Sequence, residues 1–80
     1  MNPSVISVEP QEGYKLKLHF TNGDLKVFDV SPYLDKGIFC ELKNESYFKQ
    51  VKVVSGAVEW PHEQDFSNDT LFLLSVVSEN

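Results

Sequence analysis

The stretch YKLKLHFTNGDLKVFDV, running from Tyr14 to Val30, decides the fold. Tyr14, Leu16, Leu18 and Phe20 alternate with Lys15, Lys17 and His19, and a period of two puts the first set on a core face and the second in water. Asn22-Gly23 then supplies the positive φ that a tight hairpin needs, so a second strand returns beside the first. Two registers satisfy that return. A two-residue turn sets Leu25 and Val27 beside Leu16 and Leu18 but drags Asp29 inward, whereas a three-residue loop with a bulge at Gly23 sets Phe28 and Val30 there with Lys26. The second is preferred, because a lysine near the hairpin tip reaches water along its own stem more cheaply than an aspartate is desolvated in mid-sheet.

Upstream, the β-branched residues of Ser4–Glu9 and the turn residues Pro10-Gln11-Glu12-Gly13 add a strand in front of the hairpin. Downstream, Asp29 places a carboxylate just before Ser31-Pro32, a helix start in which Ser31 caps the free amides and Pro32 fits the first turn. Gly37 reads as the terminator of that turn. Ile38, Phe39, Leu42, Tyr47 and Phe48, with Asn44 between them as a cap, make two short helical pieces. Val51–Val54, Ser55-Gly56 and Ala57–Trp60 form a second hairpin, which Pro61 stops because it has no N–H for a ladder. An irregular loop leads to the capping sequence Ser67-Asn68-Asp69, and the run Leu71–Val77 fits helix or strand equally. The expectation is a single α+β domain over residues 1–80: a small antiparallel sheet of about five strands, with short helices between the hairpins and at the C-terminus.

Charge is distributed unevenly. Residues 1–52 carry seven acids and seven lysines, whereas residues 53–80 carry Glu59, Glu63, Asp65, Asp69 and Glu79 and no base. A surface of one sign attracts the opposite sign over roughly a Debye length, about 8–10 Å, so the last third is expected to meet a basic partner. Direct nucleic-acid binding is excluded by the net charge of −5 and the lack of arginine, since phosphate and base contacts draw on positive charge and bidentate guanidinium groups. The N-terminus has no basic leader, and Leu71–Val77 is too short to cross a bilayer, so neither export nor membrane insertion is expected. A single cysteine, Cys40, cannot form an internal disulfide. It reads as a small, inert core residue of a cytoplasmic protein.

The order and spacing of these pieces resemble a small bacterial family catalogued as domain of unknown function 2442. The resemblance is carried by LKLHFTNGDLKVFDVSPYLDKGIFCEL from Leu16 to Leu42, by Phe48 and Val51, and by VEWPHEQDFSNDTL from Val58 to Leu71. Members of that family tend to have a glycine in the loop after Trp-Pro, where this chain has the more charged His62-Glu63-Gln64. The resemblance implies stand-alone domains or domains joined to a DNA-binding helix-turn-helix, some of them similar to partners encoded beside small toxins.

The densest group of functional side chains is Glu59, Trp60, His62, Glu63, Asp65 and Asp69, in and around the loop after Pro61. These residues are assigned to partner binding, with Trp60 either an exposed anchor or, as its bulk favours, part of the core. Zinc needs three or four nitrogen or sulfur donors and calcium loops need acids at fixed alternate positions, neither of which this segment offers. No serine or cysteine stands in a motif with a base, so no catalysis and no cofactor are expected. Gly23, Asp29, Ser31, Pro32, Gly37 and Pro61 are assigned to structure. The leading expectation is a small acidic protein-binding module, in its most concrete form an antitoxin-like partner of a small basic toxin. The alternatives are a metal or small-molecule binder using the His62–Asp69 loop, and a regulatory piece associated with nucleic-acid-binding proteins.

Overall fold

A computed structural model describes residues 2–78. The opening meander is β1 (Val5–Gln11), β2 (Lys15–Phe20) and β3 (Leu25–Asp29). In the β2–β3 hairpin Leu16 lies opposite Phe28, and Leu18 opposite Lys26. This is the three-residue register: the loop Thr21-Asn22-Gly23 is closed by a hydrogen bond from Phe20 N–H to Asp24 O at 2.9 Å, with Gly23 at φ +92°. The lysine placed inward by that register does not snorkel to water. Its Nζ donates to the carbonyl of Phe72 at 2.7 Å and sits 4.0 Å over the Phe72 ring.

The helical segment differs from expectation in two details. Ser31–Tyr33 is a 3₁₀ turn with Pro32 in its first positions, but Ser31 does not cap it. The side chain that satisfies the backbone there is Asp29, which accepts from the Ser31 amide at 3.0 Å and from its hydroxyl at 2.6 Å. An aspartate two residues upstream forms the tighter ring with the amide, so it displaces serine from the role. Gly37, at φ +51°, opens the second piece rather than closing the first. That piece, Gly37–Lys43, is a 3₁₀ helix, whose three-residue period turns Phe39 and Leu42 inward together. The same period leaves Cys40 exposed, so it is not the core thiol that its apolar neighbours suggested. Asn44 then caps α1 (Glu45–Phe48) by accepting from Tyr47 N–H at 3.1 Å, as expected.

The second hairpin does not join the first sheet. β4 (Lys52–Val54) and β5 (Ala57–Glu59) form a separate three-stranded sheet with β6 (Asp65–Phe66), a strand inside the segment expected to be irregular. Ser67 caps α2 (Asn68–Leu74) by accepting from Thr70 N–H at 3.2 Å. The ambiguous run Leu71–Val77 is both things in succession, because after α2 the chain straightens into β7 (Val76–Val77), which pairs with β3. The fold is therefore α+β with a four-stranded sheet in the order β1-β2-β3-β7 and a three-stranded sheet in the order β4-β5-β6. Among the described residues no helix is long and apolar enough to cross a membrane.

One core serves both sheets. Leu16, Leu18, Phe20 and Phe28 from the first meet Val58, Trp60 and Phe66 from the second, with Val30, Leu42 and Leu71 closing the sides. The sheets touch directly where Val5 N–H donates to Gly56 O at 2.8 Å. Gly56 sits at φ +83°, and a Cβ built there would lie 2.8 Å from Ser4 Cβ and Oγ. Gly23 has the same left-handed backbone but open space around it.

The two glycines therefore separate two costs. Gly23→Ala should destabilise by about 1–2 kcal/mol from backbone strain alone. Gly56→Ala should cost measurably more, and Ser4→Gly in that background should recover the excess. Urea melts of the four proteins would show it; equal losses at both positions would remove the steric account of the seam.

Candidate functional site

The loop after Pro61 is a tight hairpin joining β5 to β6. Trp60 N–H donates to Gln64 O at 2.9 Å and Glu63 N–H to Trp60 O at 3.1 Å, which puts Glu63 at φ +78°. That position asks for the left-handed backbone that glycine adopts without cost. The chain places a carboxylate there instead, directed to solvent at the tip.

A polar network pins this loop to the preceding helical pieces. Gln64 is 1% exposed, and both ends of its amide are engaged. Its Oε1 accepts from the Tyr47 hydroxyl at 2.6 Å, and its Nε2 donates to Ile38 O at 2.9 Å and to Glu41 Oε1 at 3.0 Å. The Tyr47 hydroxyl also accepts from His62 N–H at 2.8 Å, and its ring stacks on the His62 ring with centroids 5.1 Å apart. Glu41 closes the circuit, its Oε2 lying 2.6 Å from His62 Nδ1. The hydrogen bond from Gln64 holds the Glu41 carboxyl below its ordinary range; desolvation opposes it in part, and His62 adds a further lowering.

Of the residues assigned to partner binding, five reach the surface and one does not. Trp60 is 1% exposed, and its Nε1 donates to Phe48 O at 2.8 Å. It is a core residue, and the anchor reading falls with its burial. Glu59 and Asp65 stand directly opposite one another across β5 and β6. Like charges facing across a ladder repel, yet neither forms an ion pair among the described residues, and Glu63 lies at the tip between them. The far side of the row is less one-sided than the sequence implied, because Lys52 of β4 lies opposite Glu59. Asp69 sits in the first turn of α2, where it accepts from Asn2 Nδ2 at 3.1 Å. Glu79 lies outside the described residues.

Lys15, Lys17 and His19 do share the wet face of β2, but both lysines are matched across the ladder: Lys17 faces Glu9 and Lys15 faces Asp29, while His19 faces Ser7 and Leu25. The hydrogen bond from the Ser31 hydroxyl, then that from its amide, lowers the Asp29 pKa, and Lys15 adds a further small pull. Among the described residues no group of three or more His, Cys, Asp or Glu side chains is placed as a metal's ligands would be. A cleft of about 480 Å³ opens between the β1–β2 turn and α1, lined by Glu12, Tyr14, Glu45, Phe48 and Lys49 among others, and none of the His62–Asp69 loop contributes to it.

A family model described as "Protein of unknown function (DUF2442)" matches residues 5–75. The chain belongs to the DUF2442 family. The match runs from β1 through α2 and takes in strands of both sheets, leaving only β7 of the named elements outside it, so the DUF2442 unit is not the opening meander alone. No curated protein and no solved structure matches the chain.

The residues that sequence reasoning missed are Glu41, Tyr47 and Gln64. A glutamine in a charged loop carries no mark of burial, and Tyr47 was visible only as one apolar position among several. The pairing of Asn44 as cap with Tyr47 three residues later was legible, but the hydroxyl's partners 15 and 17 residues away were not.

Two consequences are measurable. Tyr47→Phe keeps the ring but strands Gln64 Oε1 and the His62 amide, so it should cost about 1–3 kcal/mol in a urea melt; a loss under 0.5 kcal/mol would mean the network is slack. Because Glu41 titrates below its ordinary value of 4.5 when folded, its contribution is present above that value and lost as pH falls through the lowered one. Glu41→Gln should therefore flatten the acid limb of the stability profile relative to wild type, while leaving the slope near neutrality unchanged.

Proposed function

We propose that this protein is a non-catalytic protein-binding module whose β5–β6 hairpin receives a basic partner. The observation that carries the reading is the facing pair Glu59 and Asp65, with Glu63 at the hairpin tip and no ion pair to any of them among the described residues. Facing acids cost a fold up to about 1 kcal/mol relative to a neutral pair. A basic side chain from a partner would turn that cost into binding free energy, because repulsion relieved on association favours the complex. Exposed charges of one sign also speed encounter with the opposite sign.

The most concrete form of the reading is an antitoxin-like partner of a small basic protein, supported by the acidic hairpin and the family resemblance together. The exposed, unpaired Cys40 suits a reducing compartment, and the cytoplasm is the location proposed.

The test is charge reversal with stability as the control. Asp65→Asn should raise stability by a few tenths of a kcal/mol, since it removes one of two facing charges. With a basic protein that co-purifies at low salt, Glu59→Lys with Asp65→Lys should slow association severalfold and flatten its dependence on ionic strength. Association unchanged by both salt and the double substitution would move the partner elsewhere and leave the acids to solubility.

A further inference from the structure

The two edges of the four-stranded sheet are built differently. β1, at one edge, carries Pro10, the charged Glu9 and a register shift between Val5 and Ser7, and its first amide is already bonded to Gly56 O. Those are the devices by which proteins prevent an edge from pairing with another chain. β7, at the other edge, is only two residues long, but among the described residues it carries no proline, no charge and no register shift. Its residues Val76 and Val77 are 65% and 69% exposed, and Leu73 and Leu74 just before them are 66% and 60% exposed.

Backbone geometry adds direction to this edge. Val27 faces Val76, Lys26 faces Val77, and Ser78 N–H donates to Leu25 O. In an antiparallel ladder the inward-bonding residues alternate, so Val76 and Ser78 turn their N–H and C=O groups to β3. Val77 turns its own outward.

We propose that this edge is a self-association surface on which a second copy of the chain lays its β7 antiparallel, about a two-fold axis at Val77. The two four-stranded sheets then become one of eight strands. Val77 of each copy donates its N–H to the other's C=O, so the pair is satisfied by residues already facing outward. An isologous contact of this kind uses each β7 edge once and closes on itself, and the blunted β1 edge stops further growth.

Charge selects a second copy over a foreign partner. Thr70 to Ser78 contains no ionisable side chain in a chain of net charge −5. The ammonium nearest to this run in the ladder, Lys26, is turned inward onto the Phe72 carbonyl. A partner recruited by charge finds no sign to complement here, whereas two copies of an acidic chain can meet at this run without facing carboxylates. Area agrees. Leu25, at 38% exposure, and the four residues above together expose on the order of 500 Å² along this edge, comparable with the largest apolar patch that monomers keep. Doubled in a two-fold pair it reaches about 1,000 Å², the lower bound of a specific interface. The dimer is therefore concentration-dependent.

Sedimentation equilibrium of the full chain over a wide concentration range tests this, at low salt and at about 1 M sodium chloride, where charges are screened beyond roughly 3 Å. The expected result is a monomer–dimer equilibrium that high salt does not weaken. Val77→Lys should raise its dissociation constant at least about tenfold, and Leu74→Lys should do the same from outside the strand, with the urea midpoint of the monomer unchanged in each. A monomer at every concentration would overturn the proposal, including the case in which β7 serves a foreign chain instead. A dimer that salt dissolves, or that Glu59→Lys with Asp65→Lys breaks while Val77→Lys does not, would overturn it too and place the contact on the acidic hairpin. Because binding of a basic partner weakens with salt and self-association does not, failure of either proposal is distinguishable from failure of the other.

Discussion

Phe66 is the joint on which both sheets depend. It belongs to a two-residue strand, yet its ring lies 5.0 Å from Phe28, 5.2 Å from Tyr33, 5.0 Å from Phe39 and 6.1 Å from Trp60. Those neighbours come from the first sheet, both 3₁₀ segments and the second sheet. The two sheets share one core, so each buries its apolar face against the other, and none of the helical pieces is long enough to hold itself. An aromatic ring buries more area than any aliphatic side chain, so one residue at the meeting point does what a small domain has too few positions to do with several.

Around that apolar joint the chain uses a buried polar one. Gln64 is the residue two before Phe66, and its amide and the Tyr47 hydroxyl together tie down the hairpin loop, the 3₁₀ helix and the start of α1. A half-satisfied network in a core is worse than none, and here each of the named donors and acceptors of Gln64 and Tyr47 has a partner. This permits Glu63 to hold a left-handed backbone without glycine: the residues on either side, His62 and Gln64, are held by Tyr47, and the strain at Glu63 is offset by its neighbours' fixed positions. The hairpin that carries Glu59, Glu63 and Asp65 is thereby tied at its base by hydrogen bonds to Tyr47 and the 3₁₀ helix.

What the sequence made legible follows from the range of each interaction. Period-two alternation, the Gly23 bulge, and the Asn44 and Ser67 caps are decided within a few residues, and all of them stand in the structure. The register at Gly23 was readable because only one solution kept Asp29 off the core face of the sheet. The reason given for tolerating Lys26 was wrong, since Phe72 lies 46 positions away. The division into two sheets was hidden for the same reason: β6 is two residues long, and only its pairing with β5 identifies it as a strand. Cys40 and Trp60 show the two ways a local reading of burial fails and succeeds. A three-residue period rotated Cys40 out of an apolar segment, while Trp60 was too large to leave exposed with its N–H so close to the Phe48 carbonyl.

The C-terminal run shows how one sequence ambiguity became two structural elements with different relations to water. Thr70, Leu71 and Phe72 turn their helix toward the core, with Leu71 fully buried and Phe72 edge-on to Phe20 at 5.2 Å. Ser75 ends the helix in extended backbone, and its hydroxyl is the buried side-chain polar atom left without a partner among the described residues. From there the chain has no further core to enter: β7 follows β3 along the sheet edge, and its apolar side chains stand in solvent because the ladder, not the core, sets their place. A run that is apolar but for Ser75 can be helix, strand and surface in the seven residues Leu71–Val77 only if something other than burial holds the last part. In this chain that is the edge of β3, and the same ladder that holds β7 leaves its outer side open to another strand.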